Sequence, residues 1–246
     1  MDYREAIYRD YAENVLSQAN RMDEADWEGY YRYFRKNYAD ILPADRNARI
    51  VDGGCGGGQF LYFLERMGYT NYLGVDGSPS CVEVCRRADR PVEEAHITEY
   101  LAEHPGEFDA IVLNDLIEHF SKQEAFDLFT AARDALKPGG RLIVKTPNMG
   151  CPLFAGRGRY CDITHEIGFT ERSLEAFYSA AGFENARAFG PDVHTSPYAV
   201  ANVIARLCWK LLRTVYKAIF RLYGHRGETV MTRVIIGVGD RPAEGK

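Results

Sequence analysis

From Ala48 to Thr146 the chain alternates without a break between short apolar segments and segments whose apolar residues recur at helical spacing. Residues 49–52, 72–76, 91–96, 108–113 and 141–146 read as strands, and 58–67, 79–88 and 122–136 as helices between them. Such alternation folds as parallel strands joined by crossover helices. Ala110-Ile111-Val112-Leu113 and Leu142-Ile143-Val144 are continuous apolar runs, as required of strands covered on both faces. Ligands of open α/β sheets bind beyond the carboxyl ends of the strands, so functional residues are sought there.

Other segments extend this unit. Helical spacing over 3–19 and 24–40 predicts two leading helices, ending before Pro43. After the strand at 141–146 comes a loop, 147–168, too long for a plain connection and so either functional or disordered. A helix at 171–181, a strand at 183–189, a second insertion at 190–228 and a strand at 230–237 complete the count of seven strands. The expected architecture is a seven-stranded, mostly parallel, Rossmann-like α/β sheet with helices on both faces. Residues 1–45 form a helical cover, 46–190 the core, 191–228 a helical insertion and 229–246 the last strand and tail, all in one domain.

Composition limits the function classes. The net charge of -5 provides no general attraction to nucleic acid, so no nucleic-acid partner is expected. The N-terminal Met1-Asp2-Tyr3-Arg4-Glu5 lacks the apolar core of a secretory signal, and no apolar stretch is free enough of charge to span a bilayer. Six cysteines show neither paired metal-ligand spacing nor the density of a disulfide scaffold. They read as reduced thiols, and the expected location is the cytoplasm.

The strongest local signal is Ile50-Val51-Asp52-Gly53-Gly54-Cys55-Gly56-Gly57-Gly58-Gln59-Phe60, between a predicted strand and a predicted helix. Gly54, Gly56 and Gly58 let the backbone turn tightly and approach a ligand, and the helix start presents free N–H groups. A dinucleotide fingerprint counted from Gly54 needs glycine where this chain has Gln59. The next strand ends in Val75-Asp76-Gly77-Ser78-Pro79, where the acid either accepts from ribose hydroxyls or only caps the helix that starts at Ser78–Pro79. Phe108-Asp109-Ala110-Ile111-Val112-Leu113-Asn114-Asp115, the trailing Glu118-His119 pair and Lys137-Pro138-Gly139-Gly140 follow.

Together these segments resemble the class I S-adenosylmethionine-dependent methyltransferases over roughly residues 46–190. The resemblance implies S-adenosyl-L-methionine as cofactor. Gly54, Gly56 and Gly58 would line its methionine part, Asp52 would order the loop, and Asp76, with Gly77 beside it, would hold the ribose. Asn114 stands at the end of the fourth strand as a further cofactor-binding position. The acidic residue that usually meets the adenine is missing from Glu93-Glu94-Ala95-His96-Ile97, where His96 or the amide of Ile97 takes its place, or His96 simply faces solvent.

A hydroxyl acceptor needs a base to remove its proton. In Tyr160-Cys161-Asp162-Ile163-Thr164-His165-Glu166, His165 is the candidate base and Asp162 the carboxylate that orients it, against the alternative that both merely pin the loop. Asp115, Asp162, His165 and Glu166 have the chemistry of metal ligands, but serve a sugar equally well as hydroxyl acceptors, and no metal is expected. Thr146-Pro147-Asn148, the Asp162–Glu166 stretch and Phe169-Thr170 resemble bacterial methyltransferases of cell-surface polysaccharide synthesis, which implies a sugar or glycoconjugate acceptor. Methylation of a quinone or other lipid-soluble molecule, suggested by Glu118-His119, and a catalytically silent cofactor-binding protein are the alternatives.

Residues 198–223 carry Arg206, Lys210, Arg213, Lys217 and Arg221 on one side of a helix, beside a broad apolar face. This reads either as peripheral contact with the inner membrane surface or as packing against the sheet or a second subunit of a homo-oligomer.

Overall fold

The computed structural model describes Ile7, residues 22–224 and residues 230–243. The helix expected over 3–19 lies outside the described residues except for Ile7. In chain order the elements are α1 (Glu24–Tyr38), β1 (Ile50–Gly53), α2 (Gln59–Arg66), β2 (Tyr72–Asp76), α3 (Pro79–Arg87), β3 (Val92–Glu94) and α4 (Ile97–Ala102). They continue with β4 (Phe108–Asn114), α5 (Lys122–Ala135), β5 (Leu136–Pro147), α6 (Ala155–Tyr160), α7 (Glu171–Ala180), β6 (Glu184–Phe189), α8 (Ala199–Leu222) and β7 (Val234–Asp240).

The seven strands form one sheet in the order β3-β2-β1-β4-β5-β7-β6. β1 pairs in parallel with β2 and β4, β2 with β3, and β4 with β5. β7 runs antiparallel to both of its neighbours, β5 and β6. The expected fold is therefore present, with one correction. The last strand lies three to four residues later than 230–237, because Val230 is outside the ladder and pairing begins where Val234 meets Pro147. That strand inserts between β5 and β6.

Side-chain alternation along the strands assigns two cores. Val51, Ile111, Leu113, Leu142 and Val144 face a layer containing Leu128, Phe129 and Ala132 of α5 and Leu174 and Tyr178 of α7. Ile50, Ala110, Val112, Ile143, Ile236 and Val238 face the other way, onto Phe34 and Tyr38 of α1 and Phe60 and Phe63 of α2. Helices cover both faces, and burial of these side chains is the dominant favourable term in folding. The order of strands reverses at β1 and β4, whose carboxyl ends diverge toward opposite connections and leave the crevice where ligands of such sheets bind.

Capping residues begin several helices. Asp23, Ser121 and Thr170 each form reciprocal capping boxes at α1, α5 and α7, satisfying amide groups at the helix starts. α2 starts differently: its first-turn cap is Gly58, with φ of 77°, a left-handed conformation that glycine adopts freely.

Candidate active site

At the carboxyl ends of β1, β2 and β4 lies a cavity of about 730 Å³. The loop after β1 forms one wall. Gly54 N and Cys55 N both donate to Val75 O, at 2.8 and 3.3 Å, and Gly56 N donates to Asp76 Oδ2 at 2.8 Å. Asp76 Oδ1 accepts from Ser78 N at 2.8 Å. Asp76 therefore fastens the glycine loop to the start of α3 while lining the cavity. Burial raises the pKa of its carboxyl, and the two amide bonds oppose that rise.

Gly54, Gly56 and Gly77 line the cavity as expected, and so do Asn114 and the exposed His96. A Cβ on Gly54, whose φ is 68°, would meet the Leu116 side chain at 2.8 Å. Gly58 stands apart from these residues. It is absent from the cavity wall, and a Cβ there would meet Cys85 and the aliphatic part of Arg90 at 3.0 Å, so this glycine serves helix packing.

Asp52 also lines the cavity. It is almost fully buried, and its Oδ1 has no hydrogen-bond partner, so the loop is ordered by Asp76 and the β2 backbone. Burial, reinforced by nearby Cys85 and Asp76, pushes the Asp52 carboxyl well above the usual range. A buried carboxylate oxygen without a partner, on the wall of a cavity, is suited to a cation. Asn114 adds an unpartnered buried amide nitrogen, Nδ2, while its Oδ1 accepts from Tyr38 OH at 2.5 Å. S-Adenosylmethionine carries cationic ammonium and sulfonium groups, a carboxylate and ribose hydroxyls. The carboxylates of Asp52 and Asp76, the amide of Asn114 and the open glycine turn fit that set.

The opposite end of the cavity is built by the segment after β4. Asp115 has φ of 52°, unusual for a residue with a side chain, and its N–H donates to Lys145 O at 2.8 Å. Its Oδ2 lies 2.5 Å from Lys145 Nζ. Burial works against the Lys145 charge, but the adjacent Asp115 outweighs it and holds the ammonium above its ordinary pKa. A single 3₁₀ turn, Ile117–His119, then brings Glu118 and His119 beneath Phe120. His119 lines the cavity; His165 does not.

The long loop docks on this turn. Glu166 N and Ile167 N donate to Glu118 O at 2.7 and 3.2 Å. Thr164 Oγ1 donates to Asp162 Oδ1 at 2.6 Å and lies 2.7 Å from His119 Nδ1. Since the single hydroxyl hydrogen is given to Asp162, Nδ1–H of His119 donates to Thr164, which leaves the imidazole lone pair on Nε2. Burial acts to raise the Asp162 pKa, but the two bonds from Thr164 outweigh it, so the carboxyl sits below its ordinary range.

The side chains of Asp162 and His165, the expected base pair, have different hydrogen-bond partners. Asp162 supports His119 through Thr164, and the orienting bond of His165 comes instead from Gly158 O, 2.8 Å from its Nδ1. His165 packs edge-on behind His119 with ring centroids 4.8 Å apart, and its carbonyl accepts from Arg159. Burial first, then the neighbouring His165, lower the His119 pKa to about 4, against the opposing charges of Asp162 and Asp115. Burial and Asp115 raise Glu118 to about 8, opposed by a hydrogen bond from Thr146 and by Lys145. Thr146 Oγ1 is 3.0 Å from Glu118 Oε2.

Glu118, His119 and His165 bring metal-ligand-type atoms within 4.8 Å of one another. Their bonds to Thr146, Thr164 and Gly158 make them a hydrogen-bonded cluster as they stand. The set of Asp115, Asp162, His165 and Glu166 considered from the sequence is not the group that converges.

Three contributors carried little or no local signal. Tyr30 and Phe34 enter the cavity wall from α1, and Tyr38 holds Asn114, although nothing in the α1 pattern distinguishes these aromatics from ordinary core residues. Lys145 was detectable as a charge inside the apolar run of β5.

Comparison with known proteins agrees with this geometry. The description "methyltransferase domain" belongs to a family whose pattern matches residues 27–188. The chain belongs to this methyltransferase family. A crystal structure of an S-adenosylmethionine-dependent methyltransferase from Archaeoglobus fulgidus superposes with a TM-score of 0.60 at 18% identity, covering 97% of this chain and 100% of that one. Phosphoethanolamine N-methyltransferase 2 of Haemonchus contortus, in complex with S-adenosyl-L-methionine, gives a TM-score of 0.60 at 16% identity over 96% of this chain and 60% of that one. These likenesses establish the methyltransferase fold.

Among curated proteins, the ubiquinone biosynthesis O-methyltransferase of Xanthomonas campestris pv. campestris is 32% identical over 129 residues, 49% of this chain and 52% of that protein. The enzyme of the same name from Xylella fastidiosa is 36% identical over 115 residues, 44% of this chain and 45% of that protein. The matched region thus spans about half the length of these relatives.

Proposed function

We propose that this methyltransferase acts on a hydroxyl group, with His119 as the general base. The observation that carries the reading is the imidazole on the cavity wall, whose tautomer is set by Thr164 and, through it, by Asp162. Bound S-adenosylmethionine supplies a methyl group on a sulfonium centre. The protein's own part is to align the acceptor oxygen and to take its proton on His119 Nε2 as the oxygen–carbon bond forms. The imidazolium so formed donates from Nδ1 to Thr164, and Asp162 stabilises that charge from one bond further away.

A base with a pKa near 4 is matched better to an acidic hydroxyl than to an aliphatic alcohol. The acceptor we favour is therefore the phenolic hydroxyl of a small, lipid-soluble molecule. The named relatives support this choice, as does an apolar wall built by Tyr30, Phe34, Phe60, Leu116 and Phe120. A second reading, a sugar or glycoconjugate hydroxyl in polysaccharide synthesis, is favoured by the Asp115–Lys145 pair and Asn114, which offer several polar partners to a polyhydroxylated ring. Methyl transfer from labelled S-adenosylmethionine to a panel of catechols, quinols, nucleotide sugars and glycans tests both. Methylation of the catechols and quinols alone upholds the first reading. Methylation of the sugars alone replaces it by the second, and cofactor binding without any transfer leaves a silent cofactor-binding protein.

A further inference from the structure

The longest helix of the described residues is not used by this site. α8 runs for 24 residues, about 36 Å, and not one of its side chains is fully buried. Its half-buried edge is formed by Trp209, Leu212, Tyr216 and Phe220. Another face displays Val200, Ile204, Leu207, Leu211, Val215 and Leu222 to solvent, with Leu211 69% exposed. An apolar face of this length left in water is unfavourable and marks an interaction surface.

The charges say what covers it. Arg206, Lys210, Arg213, Lys217 and Arg221 recur at intervals of four, three, four and four along one flank of that face, and α8 contains no acidic residue. We infer that α8 lies in the plane of an anionic lipid surface, its apolar face in the headgroup–acyl boundary and its basic flank against the phosphates. This geometry is that of an interfacial amphipathic helix. It is not a membrane span, since no helix of the described residues is long and apolar enough to cross a membrane. Antiparallel pairing of α8 with the same helix of a second copy would cover the apolar face but bring two basic flanks together along the seam.

The attachment of α8 joins this surface to the cavity. Arg206 pairs with Asp192 at 3.0 Å, and Asp192 is held on α1 by Asn37, whose Oδ1 accepts from Asp192 N at 2.7 Å. Arg32 Nε donates to Thr195 O at 3.0 Å. α1 is the helix that contributes Tyr30 and Phe34 to the cavity wall. A lipid-bound α8 thus keeps the apolar wall of the cavity attached to the membrane surface through two short polar links.

The test is sedimentation of the full chain with vesicles of phosphatidylcholine alone and of equimolar phosphatidylcholine and phosphatidylglycerol. The protein should bind the second and not the first, and added salt should release it. Lys210→Gln/Arg213→Gln/Arg221→Gln spares the Asp192 link and should weaken partitioning on the order of a hundredfold. Leu207→Gln/Leu211→Gln should weaken it as well. Both variants should bind S-adenosylmethionine in solution with unchanged affinity, which shows that they are folded and separates this result from the acceptor assignment. Absence of binding by the unmodified protein, or undiminished binding by the variants, overturns the inference. A concentration-dependent dimer that Leu207→Gln/Leu211→Gln splits would overturn it in favour of a second copy.

Discussion

The hydroxyl oxygen of Thr164 lies 2.7 Å from Nδ1 of His119, joining residues 45 positions apart at the wall of the cavity. Because Thr164 gives its hydrogen to Asp162, the contact selects one tautomer of the imidazole. His119→Ala should therefore lower the rate of methyl transfer by about 10²–10⁴-fold while leaving the cofactor dissociation constant nearly unchanged. Thr164→Val, which keeps the shape and removes the hydroxyl, should lower the rate less and leave cofactor affinity intact. Single-turnover kinetics beside calorimetry reads both quantities. Full activity of His119→Ala would remove the base assignment.

His165→Ala gives the contrasting result. This residue lies behind His119 and its ring bonds Gly158 O, so its loss should loosen the loop. Losing this buried hydrogen bond costs about 0.5–1.5 kcal/mol, visible as a lower Tm. Turnover should fall by much less than in His119→Ala when both are compared well below their melting temperatures. The reverse order of the two rate losses would return the catalytic role to His165.

Asp76→Ala should weaken S-adenosylmethionine binding in two ways. It removes an acceptor facing the cavity, and it releases the amide hydrogens of Gly56 and Ser78 that order the glycine loop. Hydrogen bonds to charged groups contribute about 1.5–3 kcal/mol each, so a loss of tenfold or more in affinity is expected by calorimetry. Unchanged affinity would exclude Asp76 from the ribose site.

The pattern of legibility follows from the range of the interactions. Strands buried on both faces and the glycine turn are written within a few neighbouring residues, and both are legible in the sequence. The partner of His119 is not, because Asp162, Thr164 and His165 sit within four residues of one another and local order cannot say which ring a hydroxyl reaches. That choice is made by Glu118 O, which accepts two amide hydrogens from the loop and sets its register on the 3₁₀ turn. Gly58 shows a related limit: its left-handed backbone is a local requirement, but that Arg90 and Cys85 fill the space beside it depends on the rest of the chain. The missing helix Ile97–Ala102 is only six residues long, too short for periodicity to declare it.

Acid should affect rate and stability over different windows. With a pKa near 4, His119 stays neutral through pH 5, so kcat should be level there and fall only as pH approaches 4. Stability behaves differently. The folded pKa is depressed below the unfolded value near 6.5, so the unfolded chain binds more protons between about 6.5 and 4. This stabilisation is present above pH 6.5 and is lost as pH falls to 4, by about 3 kcal/mol in all. Glu118 runs the other way: raised to about 8, its contribution is present below its unfolded pKa and is lost as pH rises through 8. Denaturant melts of the wild type and His119→Gln across this range should differ in slope between pH 4 and 6.5, and parallel curves would show that His119 is not held neutral by burial.

Asp52 offers the sharpest separation of stability from binding. Its carboxyl is buried with Oδ1 unpartnered, and its folded pKa is raised well above the ordinary range, so it opposes folding wherever the unfolded chain would ionise it. In linkage terms, its stabilisation is present below the unfolded pKa near 4 and is lost as pH rises toward the folded value. Asp52→Asn removes that dependence, so the variant without cofactor should melt at a higher temperature than wild type at pH 7, and the difference should shrink toward pH 4. Cofactor affinity should move in the opposite direction, because the amide cannot neutralise the ammonium or sulfonium that an ionised carboxylate would meet. Binding to the wild type should also release a proton where Asp52 is protonated beforehand, which calorimetry detects as a heat that varies with the ionisation enthalpy of the buffer. That variation should vanish in Asp52→Asn. A variant that loses stability and keeps full affinity would mean that Asp52 has a structural partner and that the cation is held by other groups.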